Sequence, residues 1–386
     1  MTTPQPGEPV RVLELRSVFG TGGGPEKTIL LGAAGADRAR VRVTVCYIRD
    51  VRDATFHIDA RARELGVEYV EATERHSLDW RVWGQLKAIV ARYGIHLVHS
   101  HEYKTDALAW LLGRRLGVRI LSTAHGWTGH SGRERHLYYP LNKRMLAHFP
   151  AVVAVSEEIK RELLRHGAPA GRVHVFHNGI DPSRFRREAS RVATERARVG
   201  LPPSAVVIGA VGRLAPQKRY DLLIEAFAAL VERHRDAYLV IAGEGPERRA
   251  LETLIARLGL DGKCRLLGQM GDVPGLHHAL DLFVQSSEYE GTPNVVLEAM
   301  ALETPVIATD VGGTAEICLP GVHGVIVPSG SSEVLRQAME SALADPVGRT
   351  ARVRAARAHI EGVLSFERRL RRLEHLYERL VRDEVR

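Results

Sequence analysis

Two acids flanking a turn mark the first place where this chain could do chemistry. Glu290 and Glu298 enclose Gly291-Thr292-Pro293-Asn294-Val295. The apolar run Leu282-Phe283-Val284 before them reads as a buried strand, and Pro305-Val306-Ile307-Ala308-Thr309 after them as another. A helix is expected to begin near Pro293, because the first helical turn does not need the N–H that proline lacks. The free N–H groups of residues 291–295 then point out of the carboxyl end of a sheet, where open α/β folds bind ligands, and they suit an anion. An acid beside such a turn makes little sense for a phosphate alone. It makes sense for a ligand carrying both phosphates and hydroxyls, because carboxylates accept hydrogen bonds from sugar hydroxyls. A nucleotide sugar is such a ligand.

A second loop supplies cations. Ala205–Val211 reads as a strand, and Gly212-Arg213-Leu214-Ala215-Pro216-Gln217-Lys218 follows it. Two cations fixed at a strand end neutralise a diphosphate, and they favour a departing nucleoside diphosphate more than the intact donor. Two further strand ends are unusually polar: His99-Ser100-His101-Glu102-Tyr103-Lys104-Thr105-Asp106 and Ser122-Thr123-Ala124-His125-Gly126-Trp127-Thr128-Gly129-His130. Both belong on the ligand side of a sheet. Tyr103 and Trp127 either stack on acceptor rings or pack under a loop. The clustered histidines suggest a metal, yet no Asp-x-Asp motif stands at a strand end, and no metal is expected.

Near the start, the strand-like Val10–Leu15 meets Gly20-Thr21-Gly22-Gly23-Gly24-Pro25-Glu26, and a helical run, Lys27–Ala34, follows. The order strand, glycine loop, helix resembles a dinucleotide fingerprint, but the spacing is not G-x-G-x-x-G. Glycines allow close backbone approach to a ligand; a turn with no ligand is the other reading. A nicotinamide-dependent oxidoreductase would use this loop with Asp50. It would leave Arg213, Lys218, Glu290 and Glu298 without a task.

The whole string Glu290-Gly291-Thr292-Pro293 … Glu298-Ala299-Met300-Ala301 … Pro305-Val306-Ile307-Ala308 … Gly312-Gly313 … Glu316 resembles the glutamate–seven residues–glutamate signature of retaining glycosyltransferases of family 4 (group 1). Gly212-Arg213 … Lys218, Gly243-Glu244-Gly245-Pro246 and Asn178-Gly179-Ile180-Asp181 are similar to further segments of that family. The resemblance implies the GT-B fold, two Rossmann-like domains with parallel sheets facing across a cleft. It implies transfer of a sugar, with retention, from a nucleoside diphosphate sugar, UDP-sugars favoured, to a hydroxyl of a sugar or lipid-linked acceptor. Synthesis of cell-surface polysaccharide or glycolipid is the implied setting. By the same resemblance His125, Arg213, Lys218 and Glu290 are catalytic. Gly22, Gly23, Gly24, Gly212, Gly268, Gln269, Gly291, Thr292, Pro293, Asn294 and Glu298 bind the donor. His101, Tyr103, Lys104 and Trp127 lie on the acceptor side. No cofactor or metal is implied. His125 stands close to the transferred sugar, where a neutral imidazole is expected to donate one hydrogen bond. A non-catalytic sugar-nucleotide binder remains the alternative. Two positions depart from the pattern: Arg219 and Glu303 stand where the family usually has glycine.

The elements that must position these residues alternate between strand and helix. Further strand-like runs lie at Val41–Ile48, Val67–Val70, Ile95–His99, Arg119–Ala124, Ala151–Val155, Val173–Phe176, Tyr238–Ala242 and Cys264–Leu267. Helical stretches lie between them, among them Leu78–Arg92 and Thr105–Leu116. This alternation predicts α/β architecture with parallel sheets covered on both faces. A length of 386 residues suits two domains. The expected division is 1–185 and 186–363, with the helix 364–386 packing back on the first domain. Arg184–Pro203, charged and poorly periodic, is the expected linker. Phe366, Leu370, Leu373, Leu376, Tyr377 and Leu380 recur at helical spacing in the tail.

Charge is uneven. Residues 1–180 hold 26 Lys and Arg against 18 Asp and Glu, so the net charge of +8 lies entirely in that half. A basic half attracts phosphates, anionic lipid or nucleic acid. No nucleic-acid motif is present, and no nucleic-acid partner is expected. The stretch Arg133–Phe149 mixes cations with aromatic and aliphatic residues, and reads as a crossover helix or as a segment lying on an anionic bilayer. Cys46, Cys264 and Cys318 show no metal spacing and suit a reducing compartment. No signal-peptide core or membrane-spanning run is legible. A cytoplasmic protein is the expectation, peripheral on the inner face of the membrane if Arg133–Phe149 lies on the bilayer.

Overall fold

Apolar runs bounded by glycine and polar residues become strands, and the amphipathic stretches between them become covering helices. The computed structural model describes residues 4–5, 7–20, 22–127 and 132–382, Arg135 by its backbone alone. The chain forms two units. One comprises residues up to Asn178 together with the chain from Glu367 on; the other is Gly179–Phe366.

The first unit holds seven strands: β1 Val10–Ser17, β2 Val41–Asp50, β3 Glu68–Glu74, β4 Leu97–Ser100, β5 Arg119–Ala124, β6 Val152–Ala154 and β7 Val173–Val175. Their order is β3-β2-β1-β4-β5-β6-β7, all parallel. The order reverses between β1 and β4, so the loops after these two strands diverge and open a crevice. The tail helix, Phe366–Arg382, carries Leu373, Leu376, Tyr377, Leu380 and Val381 into a core with Val10, Val12, Val41 and Leu97. Burying each such leucine is worth about 1.5–3 kcal/mol.

The second unit repeats the plan with β8 Val206–Val211, β9 Ala237–Ala242, β10 Cys264–Gly268, β11 Leu282–Gln285, β12 Val306–Thr309 and β13 Val325–Val327. The order is β10-β9-β8-β11-β12-β13, again all parallel, with its switch between β8 and β11. Both sheets are thus doubly wound, as expected of two Rossmann-like domains.

Several local expectations need correction. The division falls at Asn178/Gly179, before the expected boundary, because Ile180 and Phe185 are already core residues of the second unit. Arg184–Pro203 is not a linker. It contains the helix Val192–Arg198, and Arg187 and Arg196 donate to the carbonyls of His277, Leu280 and Ala279. The charges of Arg187 and Arg196 are thus used on backbone oxygens, while Arg184 and Arg186 stay exposed. The helix expected from Leu78 starts at Arg81, because the Asp79 carboxylate accepts from the N–H groups of Arg75 and Arg81 and holds a turn. The helix expected near Pro293 does form, as Asn294–Ala301, with Pro293 the extended residue just before it. Strand β13 was not read from the sequence.

Candidate active site

In the second unit, the loops after β8 and β11 meet at the switch point. Two glycines let neighbouring loops close in, the loop after β9 on that after β8 and the loop after β12 on that after β11. A Cβ on Gly243 would stand 1.9 Å from the Gly212 carbonyl oxygen, and one on Gly312 1.8 Å from that of Glu290. The loops are then laced together. The Glu288 N–H donates to the Gln217 carbonyl at 2.8 Å, and the Ser286 hydroxyl to the Lys218 carbonyl at 2.8 Å. The Gly313 N–H donates to the Gly291 carbonyl at 2.7 Å.

This scaffold brings Lys218 Nζ to 2.6 Å from Glu290 Oε1, and the Ser287 hydroxyl donates to the same oxygen at 2.6 Å. Lys218 and Glu290 are 72 residues apart in sequence, and the pairing was not foreseen. Arg213, from the same loop as Lys218, is exposed and forms no ion pair among the described residues. Thr292 and Pro293 are buried, Asn294 and Gly291 half-buried, and Glu298 is buried on the helix Asn294–Ala301. Gly212 has φ 153 and Gly268 φ 75; Gln269 is exposed. The Gly268 carbonyl accepts from the Gly243 N–H at 2.8 Å, tying the Gly268-Gln269 turn to the loop after β9. The Lys218 ammonium, the Ser287 hydroxyl and the Glu290 carboxylate form one cluster that can exchange its mutual contacts for those of a ligand bearing both negative charge and hydroxyls.

In the first unit, a cavity of about 260 Å3 opens at the carboxyl ends of β1, β4 and β5. His101, Tyr103, His125 and Trp127 line it together with Arg16 and Asp106. Lys104 is drawn aside into an ion pair with Glu74. Tyr103 stacks on Tyr138 with ring centroids 5.6 Å apart. Trp127 donates its indole N–H to Asn142 at 3.0 Å, and Lys143 Nζ lies 4.6 Å over its ring. Thr128, Gly129 and His130 lie outside the described residues.

Beneath the cavity is a polar network that sequence reasoning missed. Glu14, in the middle of β1, is 6% exposed. Its Oε2 accepts from His101 Nε2, and its Oε1 accepts from the Tyr377 hydroxyl at 2.7 Å. His99 Nδ1 lies 2.7 Å from that hydroxyl, and His99 Nε2 lies 2.7 Å from the Thr123 hydroxyl. His101 Nδ1 lies 3.2 Å from His125 Nε2. Glu14, His99 and His101 also present one metal-ligand atom each within 4.8 Å of one another. These atoms are already engaged in the hydrogen bonds just described. Burial raises the Glu14 carboxyl, but His99 and His101 outweigh it and hold it well below the usual carboxylate range. Burial, then His99, pushes His101 down to about 4. Burial, then His101 and Arg16, holds His125 well below its ordinary value. Asp106 accepts from Ser100, Ser122 and Asn142, yet burial pushes it up to about 7. A lone acid in the apolar strand Val12-Leu13-Glu14-Leu15 was the available signal for this network.

The glycine loop is partly occupied by the protein itself. Gly24 opens the helix Gly24–Gly35, and the Gly23 N–H donates to Glu26 Oε2 at 2.5 Å. The Gly20 N–H donates to Asp53 at 2.5 Å. Gly22 has φ 72, and a Cβ there would stand 2.6 Å from Glu26 Cγ. A carboxylate at this helix start stands where a dinucleotide fingerprint would put its pyrophosphate, so the geometry does not favour the oxidoreductase reading.

Comparison with known proteins bears on the same segments. Residues 22–184 match the model of Glycosyltransferase Family 4, and residues 192–359 that of Glycosyl transferases group 1. The chain is 33% identical to EpsD of Bacillus subtilis strain 168 over 270 residues, 67% of this chain and 70% of that protein. It is 31% identical to a D-inositol 3-phosphate glycosyltransferase of Saccharomonospora viridis over 286 residues, 69% of this chain and 66% of that protein. The crystal structure of HepE of Anabaena in complex with UDP-glucose has the same fold. Its TM-score is 0.83 at 20% identity, covering 95% of this chain and 98% of that one. With both halves matched and their sheets wound alike, the chain belongs to the group 1, family 4 glycosyltransferases of the GT-B fold.

Proposed function

We propose that the protein transfers a sugar from a nucleoside diphosphate sugar, a UDP-sugar foremost, to a hydroxyl of a sugar or lipid-linked acceptor, with retention of anomeric configuration. The observation that carries this reading is the Lys218–Glu290 pair at 2.6 Å, with the exposed Arg213 in the same loop as Lys218. A donor's diphosphate takes Lys218 and Arg213, and its hydroxyls take Glu290 and Glu298. Negative charge grows on the leaving diphosphate as the glycosidic bond breaks, so both cations hold the transition state more tightly than the donor. The leaving phosphate oxygen takes the acceptor proton on the same face, and no glycosyl-enzyme forms. The UDP-glucose complex of HepE supports the donor class, and the name of the D-inositol 3-phosphate glycosyltransferase relative supports glycosyl transfer. The two cations supply the positive field, so the reaction is proposed to need no metal or other cofactor.

A thermal-shift panel of UDP-, GDP-, ADP- and dTDP-sugars tests the donor. The true donor at a hundredfold its Kd should stabilise by about 2.7 kcal/mol. No shift with any of them would overturn the donor class. Turnover abolished by a chelator and restored by Mn2+ would overturn metal independence. NMR of an inverted product anomer would overturn retention.

A membrane-side acceptor has its own support. The helical stretch Glu134–Leu146 exposes Leu137, Tyr138 and Leu141 at 51%, 40% and 56%, flanked by the exposed Arg133 and Arg144. Lys143 is held by Glu162 at 2.7 Å. Arg133 and Arg144 should each contribute about 1 kcal/mol to binding anionic vesicles, lost as salt rises. Binding of phosphatidylserine vesicles at low salt is expected, and its absence would remove the membrane-facing acceptor from the reading. No described helix is long and apolar enough to cross a membrane.

A further inference from the structure

The geometry points to a relay, Glu14–His101–His125, that fixes which nitrogen of His125 meets the ligand and makes it a hydrogen-bond acceptor. Each link follows from donor counting. An ionised carboxylate has no proton to give, so the contact between Glu14 Oε2 and His101 Nε2 requires His101 to donate. A neutral imidazole has a single N–H. His101 Nδ1 therefore carries a lone pair, and at 3.2 Å it must accept from His125 Nε2–H. His125, neutral in turn, is left with its lone pair on Nδ1. The rings of His101 and His125 are stacked at 27° with centroids 5.4 Å apart, which limits reorientation of either. The far end of the relay is pinned as well. Glu14 Oε1 faces the Tyr377 hydroxyl at 2.7 Å and His99 Nδ1 at 3.2 Å, so the carboxylate is held through both oxygens.

Glu14 and His101 are thus positioning residues acting through His125, as outer carboxylates fix the tautomer of functional histidines elsewhere. The consequence reverses the expectation that a neutral His125 donates to the sugar. The cavity takes a hydroxyl donor at this point, and a phosphate oxygen, which only accepts, finds no N–H there. On the glycosyl-transfer reading, the hydroxyl belongs to the transferred sugar or its acceptor.

The test reads the tautomer itself and needs no substrate, so its failure is distinct from failure of the proposed activity. Histidine ring nitrogens are labelled with 15N in the full chain, and His101→Gln and His125→Gln assign the signals. At pH 7 and without ligand, His125 should show a protonated Nε2 and a bare Nδ1, and His101 the same pattern. A protonated His125 Nδ1 would overturn the relay. Glu14→Gln sharpens the test. Two donors, Tyr377 and His99, face Oε1 and one faces Oε2, so the amide oxygen takes the first side and the NH2 turns to His101. Both rings should then invert, giving His125 Nδ1–H. With an identified donor sugar, kcat should drop at least tenfold at unchanged KM for that donor. A folded Glu14→Gln protein with the wild-type tautomer would overturn the positioning role; should the variant not fold, the wild-type spectrum still decides.

Discussion

Lys218 and Arg213 sit in one loop, and their surroundings separate what each does. Lys218 is paired with Glu290, a carboxylate whose side chain is 10% exposed, while Arg213 is exposed and pairs with no acid among the described residues. Arg213→Ala should therefore cut turnover by roughly 2–4 kcal/mol of transition-state stabilisation, if it acts like one oxyanion donor. Its stability should change by less than about 0.5 kcal/mol, as for an exposed site. Lys218→Ala should lose turnover similarly and also about 1–3 kcal/mol of stability, since the half-buried Glu290 carboxylate loses its cation and keeps the Ser287 hydroxyl. Single-turnover kinetics beside denaturant melts would separate these outcomes, and equal stability loss in the two variants would contradict the assignment. Arg213, Lys218, Glu290 and Glu298 were legible because each lies in a short contiguous motif. Glu14, His99, His101 and Tyr377 were not legible as a group. They converge from β1, from the end of β4 and from the tail helix, 363 residues from Glu14 to Tyr377, and no local spacing records that. Tyr377 read only as one apolar position among several on its helix.

At the scale of elements, the two departures from the family's glycines have a structural counterpart. Arg219, with φ 48, and Glu303, with φ 53, are the two described non-glycine residues at positive φ. Glu303 follows the helix Asn294–Ala301 as its left-handed end: its N–H donates to the Met300 carbonyl at 3.3 Å, and the Thr304 N–H to Ala299 at 2.9 Å. That pair of bonds is the Schellman arrangement, in which glycine avoids a Cβ clash. Glu303 is exposed and has no ion pair among the described residues, so little offsets the strain. Glu303→Gly should stabilise by about 0.5–1 kcal/mol, the left-handed cost less the entropy of freeing a glycine. Chemical denaturation reads this directly, and a loss of stability would show that the glutamate has a partner role. Arg219→Gly should gain less, because Arg219 pairs with Asp221 at 3.0 Å. The motif revealed both positions, though not that the cap would keep its left-handed form. Strand β13 escaped for a different reason. Val325-Ile326-Val327 is three residues long and is a strand only because β12 offers it a partner edge. Tertiary pairing supplies what local pattern lacks.

At the scale of the whole molecule, burial of uncharged histidines in both units makes a prediction about acid. In the first unit His101 is pushed down to about 4 by burial and His99, and His125 is held well below its usual value by burial and His101. In the second unit His277 is fully buried, neither ring nitrogen has a hydrogen-bond partner, and burial pushes it down to about 3. Between pH 6.5 and about 4 these rings are neutral when folded and protonated when unfolded. The unfolded chain then binds more protons, so stability falls as pH falls through that window. Asp106 works in the opposite sense. Raised to about 7 by burial, it holds a proton in the folded state that the unfolded chain releases above about pH 4, so its contribution shrinks as pH rises towards 7. Three histidines against one carboxyl leave the acid loss dominant. Each group contributes at most about 1.4 kcal/mol per pH unit. Denaturation midpoints should therefore drop steadily from pH 6.5 to 4.5, and a flat or rising profile would contradict the assignment of neutral, buried rings. His277→Leu isolates the second unit. It removes a ring that must charge on unfolding and two buried nitrogens without partners, and leaves a side chain suited to contact with Phe283, now 5.4 Å away. The variant should be more stable at pH 7 by about 1–3 kcal/mol, the usual cost of a buried polar group left unsatisfied. Its acid slope should be shallower than that of the unaltered chain. A variant less stable than the parent at pH 7 would mean that the imidazole is satisfied in solution.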